Sequence, residues 1–408
     1  MSRASIKTAR PAKTGSTTST VVLLAFAAFF SGAALRVCDS LLPRLASDFS
    51  VTPGAAGQVV IGFSVAYGLM QLVFGPLGDR YGKTRLMCIA MFGCALGAAA
   101  SALAPNLSSL SAARIVWGMA AAGIIPLAMA WIGDNVPYEQ RQATLARFLT
   151  GTLSGMTVGQ LAGGLFADST PGWRGAFFAL ALGFACVGWL LLTRVAHAPV
   201  APRPDGSPHP AFIAQLRAVL AVPWARAVLA SVLAEGIFLL GPMSYLPSYL
   251  HLRHGLSLST ASALLALYAV GGLVYAFTAR RIVAGLGERR MALCGGLLMG
   301  ASYLALWLSP PWLFVAPIAL ALGFGTYLFH NTLQTHATQM APAMRGTSVA
   351  LFSACLFGGQ AIGVTASGWT IDHLGYTPML IAAAIATPLA GWAFAAALRR
   401  RAHAGAIA

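Results

Sequence analysis

Charge is what this sequence has least of. Asp, Glu, Lys and Arg make up 9% of its 408 residues, and Asp and Glu together number 10. A soluble globule carries about a quarter charged residues, so this supply cannot coat a water-facing surface. Chemical machinery is missing too. There is no G-x-x-x-x-G-K-[ST] phosphate loop, no HExxH and no nucleophile elbow. No polar segment is long enough to house an ATPase. The chain is therefore not expected to be an enzyme or an ATP-driven pump. Its six cysteines, Cys38, Cys88, Cys94, Cys186, Cys294 and Cys355, lie in apolar runs without metal-ligand spacing. They are expected to be free and buried, with no metal and no cofactor bound.

Lys and Arg, 26 in all, give a net charge of +16. Nucleic acid is one reading of such a balance. The cations, however, collect in short loops between apolar runs and form no face interleaved with aromatics. That is the pattern that anchors loops beside an anionic inner leaflet, so the expected partner is the lipid bilayer and not nucleic acid.

What the sequence has in abundance is apolar length. Hydrophobic residues make up 58% of it, much of it in runs of about 20, enough to cross a hydrocarbon core as a helix. Twelve spans are predicted, near 19–42, 55–77, 85–105, 109–133, 145–167, 174–194, 224–249, 258–280, 289–308, 312–335, 347–369 and 376–398. The first follows basic residues but is too long for a signal-peptide core, so it is expected to be retained. Lys and Arg concentrate in alternate loops, which places both termini in the cytoplasm and the chain in the cell (inner or plasma) membrane. Segment 195–223 is polar and Pro-rich, with a short amphipathic helix predicted at 211–221. It divides a bundle at 19–194 from one at 224–398, flanked by cytoplasmic tails at 1–18 and 399–408.

The halves resemble each other. "SLLPRLASDFSVTPGAAGQVVIGFSVAYG" (40–68) parallels "SYLPSYLHLRHGLSLSTASALLALYAVGG" (244–272), with Pro43 on Pro247 and Gly68 on Gly272, a shift of 204. "GQLAGG" (159–164) parallels "GQAIGV" (359–364) at a shift of 200. Ordered self-similarity of this kind indicates two parallel six-helix repeats.

One polar stretch interrupts the apolar background: "GPLGDRYGKTR" (75–85), after the second span. Glycine permits tight turns and close helix approach. Asp79 precedes the third helix, where a carboxylate suits the positive helix end, and Arg80, Lys83 and Arg85 can pair with it or with neighbouring helix ends. With Gly75, Leu77, Asp79, Arg80, Gly82 and Lys83 in place, the stretch resembles the loop motif of the major facilitator superfamily. The resemblance is nearest to its 12-helix drug:proton antiporter branch. It implies an all-α membrane protein, 12 transmembrane helices in two pseudo-symmetric six-helix bundles that rock about a central site. It also makes the loop a gate. The second half has a worn copy, "ARRIVAGLGERR" (279–290), with no acid at the place of Asp79.

Arg114 and Gly118 resemble a second motif of the family, in which the Arg is linked to proton transfer. A buried intramembrane Arg faces a cavity or a partner; the alternative is an Arg snorkelling to the outer interface. Asp39, with Arg36 one turn before it, ends the first predicted span at a similar depth. The two charges, Asp39 and Arg114, are expected to meet, the alternative being a solvated carboxylate. Gly155, Gly159, Gly163 and Gly164 fit the family's antiporter motif in the fifth span, with Gln160 where that motif has Pro. Small residues at this spacing also serve plain helix packing. Glu235, midway along the seventh span, is the third expected proton-coupling residue beside Asp39 and Arg114. Gln71, His330, Asn331 and Gln360 are weaker candidates for the cavity wall, as are Tyr67, Trp117, Trp131, Tyr245, Tyr268, Phe324 and Tyr327.

The resemblance implies a secondary active transporter, a monomer, that couples entry of a proton to efflux of a small lipophilic or amphiphilic molecule. A proton symporter importing a sugar or organic acid is the alternative, with Arg114 taking a carboxylate. A membrane sensor or scaffold that carries nothing is the alternative of another class.

Overall fold

The computed structural model describes residues 14–195 and 212–407; the side chains of 14–17, Pro76, Asp79, Phe212 and 403–407 fall outside that description. The terminal tails before residue 14 and most of the predicted linker therefore lie outside the described residues. Every described regular element is a helix.

Span 1 is Thr14–Asp48, span 2 Gln58–Tyr81 led in by the helical turn Pro53–Ala56, and span 3 Lys83–Ala102. Span 4 runs over Leu107–Ala121 and Ile124–Asn135, span 5 is Tyr138–Ala167 and span 6 Gly172–Arg194. A short helix, Phe212–Ala221, precedes the second bundle. Span 7 covers Pro223–His254. Spans 8 and 9 share one continuous stretch, Leu258–Trp307, that breaks at Gly287. Spans 10, 11 and 12 are Val315–Gln339, Arg345–Leu374 and Tyr376–Ile407.

Ten described segments are long and apolar enough to cross a membrane. Twelve crossings follow from two physical facts. A straight helix of 50 residues would reach about 75 Å at 1.5 Å per residue, far beyond a hydrocarbon core of about 30 Å. Gly287, at φ 67°, turns it back, so that stretch crosses twice. Span 5, with 30 residues, is long enough to cross. Its first turns carry Glu139, Arg141 and Arg147, which lowers its hydropathy.

The helix ends meet in two groups. At the end remote from the termini, Trp173 Nε1 donates to Asp48 (2.9 Å) and Arg174 to the carbonyl of Ala104 (3.2 Å). There too Arg253 donates to Ser309 Oγ (2.8 Å) and Tyr249 to the carbonyl of Leu306 (2.7 Å). This is the distal end. At the tail end, Lys83 pairs with Asp134, His336 with Glu288 (3.1 Å), and Trp224 stacks on Phe394 (centroids 5.7 Å). Thr347 ties span 11 to Gln215 of the short helix (2.8 Å).

Within each bundle, two helices touch backbone to backbone. Gly155 of span 5 lies against the Phe29 carbonyl of span 1, and Gly159 against Ala33. In the second half Gly359 of span 11 lies against the Leu233 carbonyl of span 7, and Gly363 against Ile237. A Cβ at any of the four would strike main chain, so small residues set the approach of these helices. Each of these residues is 204 positions from its counterpart. The shift of 200 suggested by "GQLAGG" and "GQAIGV" is therefore one helical turn out of register. Chance repetition of Gly-Gln drew that alignment; backbone contact decides the true one.

Three expectations need correction. Span 1 does not end at 42, because Pro43 is accommodated inside a helix that runs to Asp48. Asp39 is thus about 13 Å short of the helix end. Cys186 and Cys294 are exposed on the lateral surface and Cys355 is half-buried, so only three of the six thiols are buried. Gly75 has open space where a Cβ would stand, so close packing does not require glycine there.

Candidate functional site

The chain buries its few intramembrane charges in three places. The first lies between the bundles. Arg36 and Asp39, one turn apart on span 1, form an ion pair at 2.9 Å, with side chains 10% and 1% exposed. Arg36 also donates to Met243 Sδ of span 7 (3.4 Å). The second Asp39 oxygen, Oδ1, has no partner of good hydrogen-bond geometry among the described residues, with the Ser244 hydroxyl near the carboxylate. Beside the pair is a cavity of about 30 Å³, walled by Arg36, Met156, Gln160, Met243, Tyr268 and Tyr327. Both bundles thus contribute to it, and its wall is mixed: a guanidinium, an amide, a hydroxyl, two phenols and two thioethers among aliphatic side chains. Arg36 neutralises the buried carboxylate here; were the two to part, only a proton or another cation could take its place.

The second place is Arg114. It is 1% exposed, so it does not snorkel to the interface. Nor does it pair with Asp39: no ion pair within 4 Å joins them among the described residues, and Asp39 is turned to Arg36. Arg114 instead donates to the carbonyls of Val59 (Nε, 3.3 Å) and Ala34 (Nη2, 3.2 Å). Its guanidinium lies over the rings of Phe63 (4.0 Å) and Trp117 (4.7 Å). Cation–π contact is strongest where water is excluded; it supports a charge whose Nη1 meets no described acceptor and on which Asp39 acts only through space. The Arg ties span 4 to spans 1 and 2 and does not face the cavity.

The third place is inside the second bundle. Glu235 is 3% exposed, and His330 Nδ1 of span 10 lies 3.1 and 3.0 Å from its two oxygens. Phe352 of span 11 covers the imidazole (centroids 5.6 Å). The fold thus brings a carboxylate and an imidazole within hydrogen-bond reach inside the bundle. The pair's place follows from the local backbone. After Glu235 the helix widens into a π-turn, Gly236–Leu240. Pro242 cannot donate to the fourth carbonyl before it, and Gly236 is pressed against span 11 at the Leu356 carbonyl. Both favour an extra residue in the turn. A separation of 95 in residue number between Glu235 and His330 hid this pairing from the sequence, in which His330 is only a weak candidate.

The remaining candidates are dispersed. Gln360 is buried on span 11, its backbone nitrogen beside Gly236. Asn331 and Gln71 are half-buried, and no described hydrogen bond joins them to the three sites. A wider apolar recess of about 610 Å³, between Ile61, Val65, Ile362, Thr365 and Trp369, opens laterally between spans 2 and 11, away from the buried charges.

The polar loop divides its labour. Gly82, at φ 90°, makes the turn between spans 2 and 3, and Gly78 lies against Leu127. Lys83 pairs with Asp134 of span 4, inside its own bundle. Arg80 is exposed beside the Tyr81 ring (5.3 Å), and Arg85 is exposed. Asp79 stands in the last turn of span 2; its side chain lies outside the described residues.

The bundles are joined at the distal end. Ser262 donates to Ser40 (2.7 Å), whose hydroxyl donates to the Gln160 carbonyl (3.0 Å). Gly164 of the Gly-rich span lies not against span 1 but against Leu258 and Ser262 of the other bundle. Its neighbour Gly163 contacts the Val37 carbonyl, so adjacent glycines serve different interfaces.

The comparisons agree with this architecture. The chain is 26% identical over 354 residues to the uncharacterized MFS-type transporter YceJ of Bacillus subtilis (strain 168), covering 85% of this chain and 88% of that one. It is 24% identical over 184 residues to the multidrug export protein EmrB of Haemophilus influenzae, covering 43% of this chain and 36% of that one. A crystal structure of a D-xylose-proton symporter superposes with a TM-score of 0.72 at 16% identity, covering 93% of this chain and 97% of the other. The family profile of the Major Facilitator Superfamily matches residues 24–285 and 254–406. The chain belongs to that superfamily and is a multi-pass membrane transporter of a small molecule, not an enzyme.

Proposed function

We propose that the chain is a proton-coupled exporter of a small amphiphilic molecule, working as a monomer in the cell membrane with its tail end in the cytoplasm. The observation that carries this is the buried Arg36–Asp39 pair, whose Arg36 lines the cavity between the bundles with Asp39 behind it. A carboxylate buried there holds either its cationic partner or a proton. Exchange between the two changes the charge facing the substrate space as the bundles rock. Glu235–His330 offers a second such exchange in the other bundle. The closed cavity has room for only about one water, but the apolar share of its wall, Met156, Met243, Leu153 and Leu265, would suit an amphiphile once the bundles part. Apart from Arg36–Met243 deeper in the membrane, the described bonds between bundles fall at the distal end, which corresponds to a path opening toward the tail end. The likeness to a multidrug export protein supports outward transport. The polar loop, with Asp79, Arg80, Lys83 and Arg85, acts as the tail-end gate in this reading.

One observation favours proton-coupled import of an organic acid: the charged group lining the cavity is a cation, Arg36. Direction separates the two. Substrate accumulation in everted vesicles with an acidic lumen is the outcome expected of the exporter. Accumulation confined to right-side-out vesicles in acidic medium overturns it.

A further inference from the structure

We infer that Asp168 and Asp372 are a matched pair of gating residues, two clasps that hold the distal end shut and must both release before it opens. Asp168 directly follows span 5. Its Oδ1 accepts from the Leu258 N–H (3.2 Å) and its Oδ2 from the Ser259 N–H (2.7 Å), the first amides of span 8 in the other bundle. Asp372 stands in the last turn of span 11. Its Oδ1 accepts from the Gly54 N–H (2.9 Å) and its Oδ2 from the Thr52 hydroxyl (2.6 Å), at the start of the helical turn leading into span 2.

The two clasps are copies. Asp168 and Asp372 are 204 residues apart, and so are Gly54 and Leu258, the amides they hold. Beneath each carboxylate, one turn earlier, is a glycine at the same spacing: Gly164 against Leu258, Gly368 against Gly54. Each glycine lets two bundles approach to backbone contact, and each aspartate then reaches across the seam. The second copy is chemically adjusted. The Ala55 N–H, counterpart of Ser259, is taken by Thr52 Oγ1 (3.1 Å), and the Thr52 hydroxyl donates its own hydrogen to Asp372 instead. A carboxylate at free helix amides combines charge-assisted bonds with a favourable helix-end field.

The clasps lie on the two opposite seams, spans 5 with 8 and spans 2 with 11. With one intact, the bundles can only pivot about it; separation of the distal end requires release of both. This rests on bonds within the chain, and it stands whichever way the substrate moves or whatever ion drives it.

Hydrogen–deuterium exchange on the full chain in nanodiscs tests it. Asp168→Ala should speed exchange about tenfold at residues 258–262, as loss of bonds to a charged group implies. It should also speed exchange severalfold at residues 52–57, the other clasp, and slow it in the tail-end loops 79–85 and 283–290. Asp372→Ala should give the reciprocal pattern and the double variant the largest effect. Asp168→Asn and Asp372→Asn, which keep an acceptor oxygen, should show the same pattern at reduced size, and they carry the test should an alanine variant fail to fold. Faster exchange confined to the mutated clasp, with the opposite clasp and the tail-end loops unchanged, overturns the inference.

Discussion

Lys83 and Glu288 occupy matching places in the two bundles with opposite charge. Each follows a glycine of positive φ, Gly82 at 90° and Gly287 at 67°. Each reaches the tail end of the fourth helix of its own bundle, Lys83 to Asp134 and Glu288 to His336. The second loop, which by sequence lacks the acid of the first, has therefore kept the anchoring and reversed its polarity.

These anchors should stabilise little. Asp134 is 58% exposed and Glu288 49%, and pairs so open to water are worth under about 1 kcal/mol. Glu288→Gln should leave the unfolding free energy in detergent within that margin, with the difference shrinking further in high salt. A loss of several kcal/mol would mean that the loop is held as part of the core.

The gate loop should be more sensitive at Asp79 than its counterpart is at Arg280 or Arg281. Both arginines are exposed and no described ion pair uses them. Asp79→Asn is expected to slow turnover in proteoliposomes several-fold, while Arg280→Ala and Arg281→Ala stay near wild type. Equal loss from all three would remove the asymmetry between the loops.

Glycines should separate sharply by what their missing Cβ would meet. Gly75→Ala has open space and sits within a helix, so it should be neutral or stabilise by about 0.5–1 kcal/mol. Gly155→Ala drives a methyl into the Phe29 carbonyl, and Gly359→Ala does the same at Leu233. Each should cost about 1–3 kcal/mol or more, the range for overpacking. Thermal unfolding of the three variants side by side is the measurement.

Spans, the half-chain repeat and the polar loop were legible because hydropathy, loop charge and glycine spacing are local signals. The shift of 204 was already visible at Pro43 and Pro247, and the structure extends it to Gly155, Gly159, Gly164 and Asp168 with their partners. Depth and pairing were not legible. The first span was expected to end near 42 although the helix continues through Pro43 to Asp48, which put Asp39 near water instead of 1% exposed. Rotation about a helix axis decides partners, and hydropathy carries no information on it within a uniformly apolar span. So Asp39 faces Arg36 and not Arg114, and the π-turn that positions Glu235 toward His330 left no trace beyond Gly236 and Pro242.

Coupling and binding should separate at Glu235. Glu235→Gln keeps the size of the side chain and a hydrogen bond to His330 but cannot release a proton. Proton-driven flux should fall by about tenfold or more, as when a positioned proton-transfer group is lost. Exchange of labelled for unlabelled substrate across the membrane, which needs no net proton movement, should persist. Loss of both activities in a folded variant would make Glu235 a binding or structural residue; loss of neither would remove it from the proton path.

Arg114 should prove to be a girder more than a proton carrier. Its bonds are to main-chain carbonyls of spans 1 and 2 and its faces rest on Phe63 and Trp117. A lysine can reproduce neither the planar stacking nor two bonds in different directions. Arg114→Lys should therefore destabilise the first bundle by about 2 kcal/mol, the scale of a desolvated cation–π contact. Arg114→Ala should cost more, because the Ala34 and Val59 carbonyls lose their donor in a buried site. The decisive reading is the pH profile of transport. A girder lowers the rate at every pH through loss of folded protein and leaves the shape of the profile unchanged. A residue in the proton path shifts its midpoint. A shifted midpoint in Arg114→Lys, at equal amounts of folded protein, would put Arg114 back beside Asp39 in the coupling machinery.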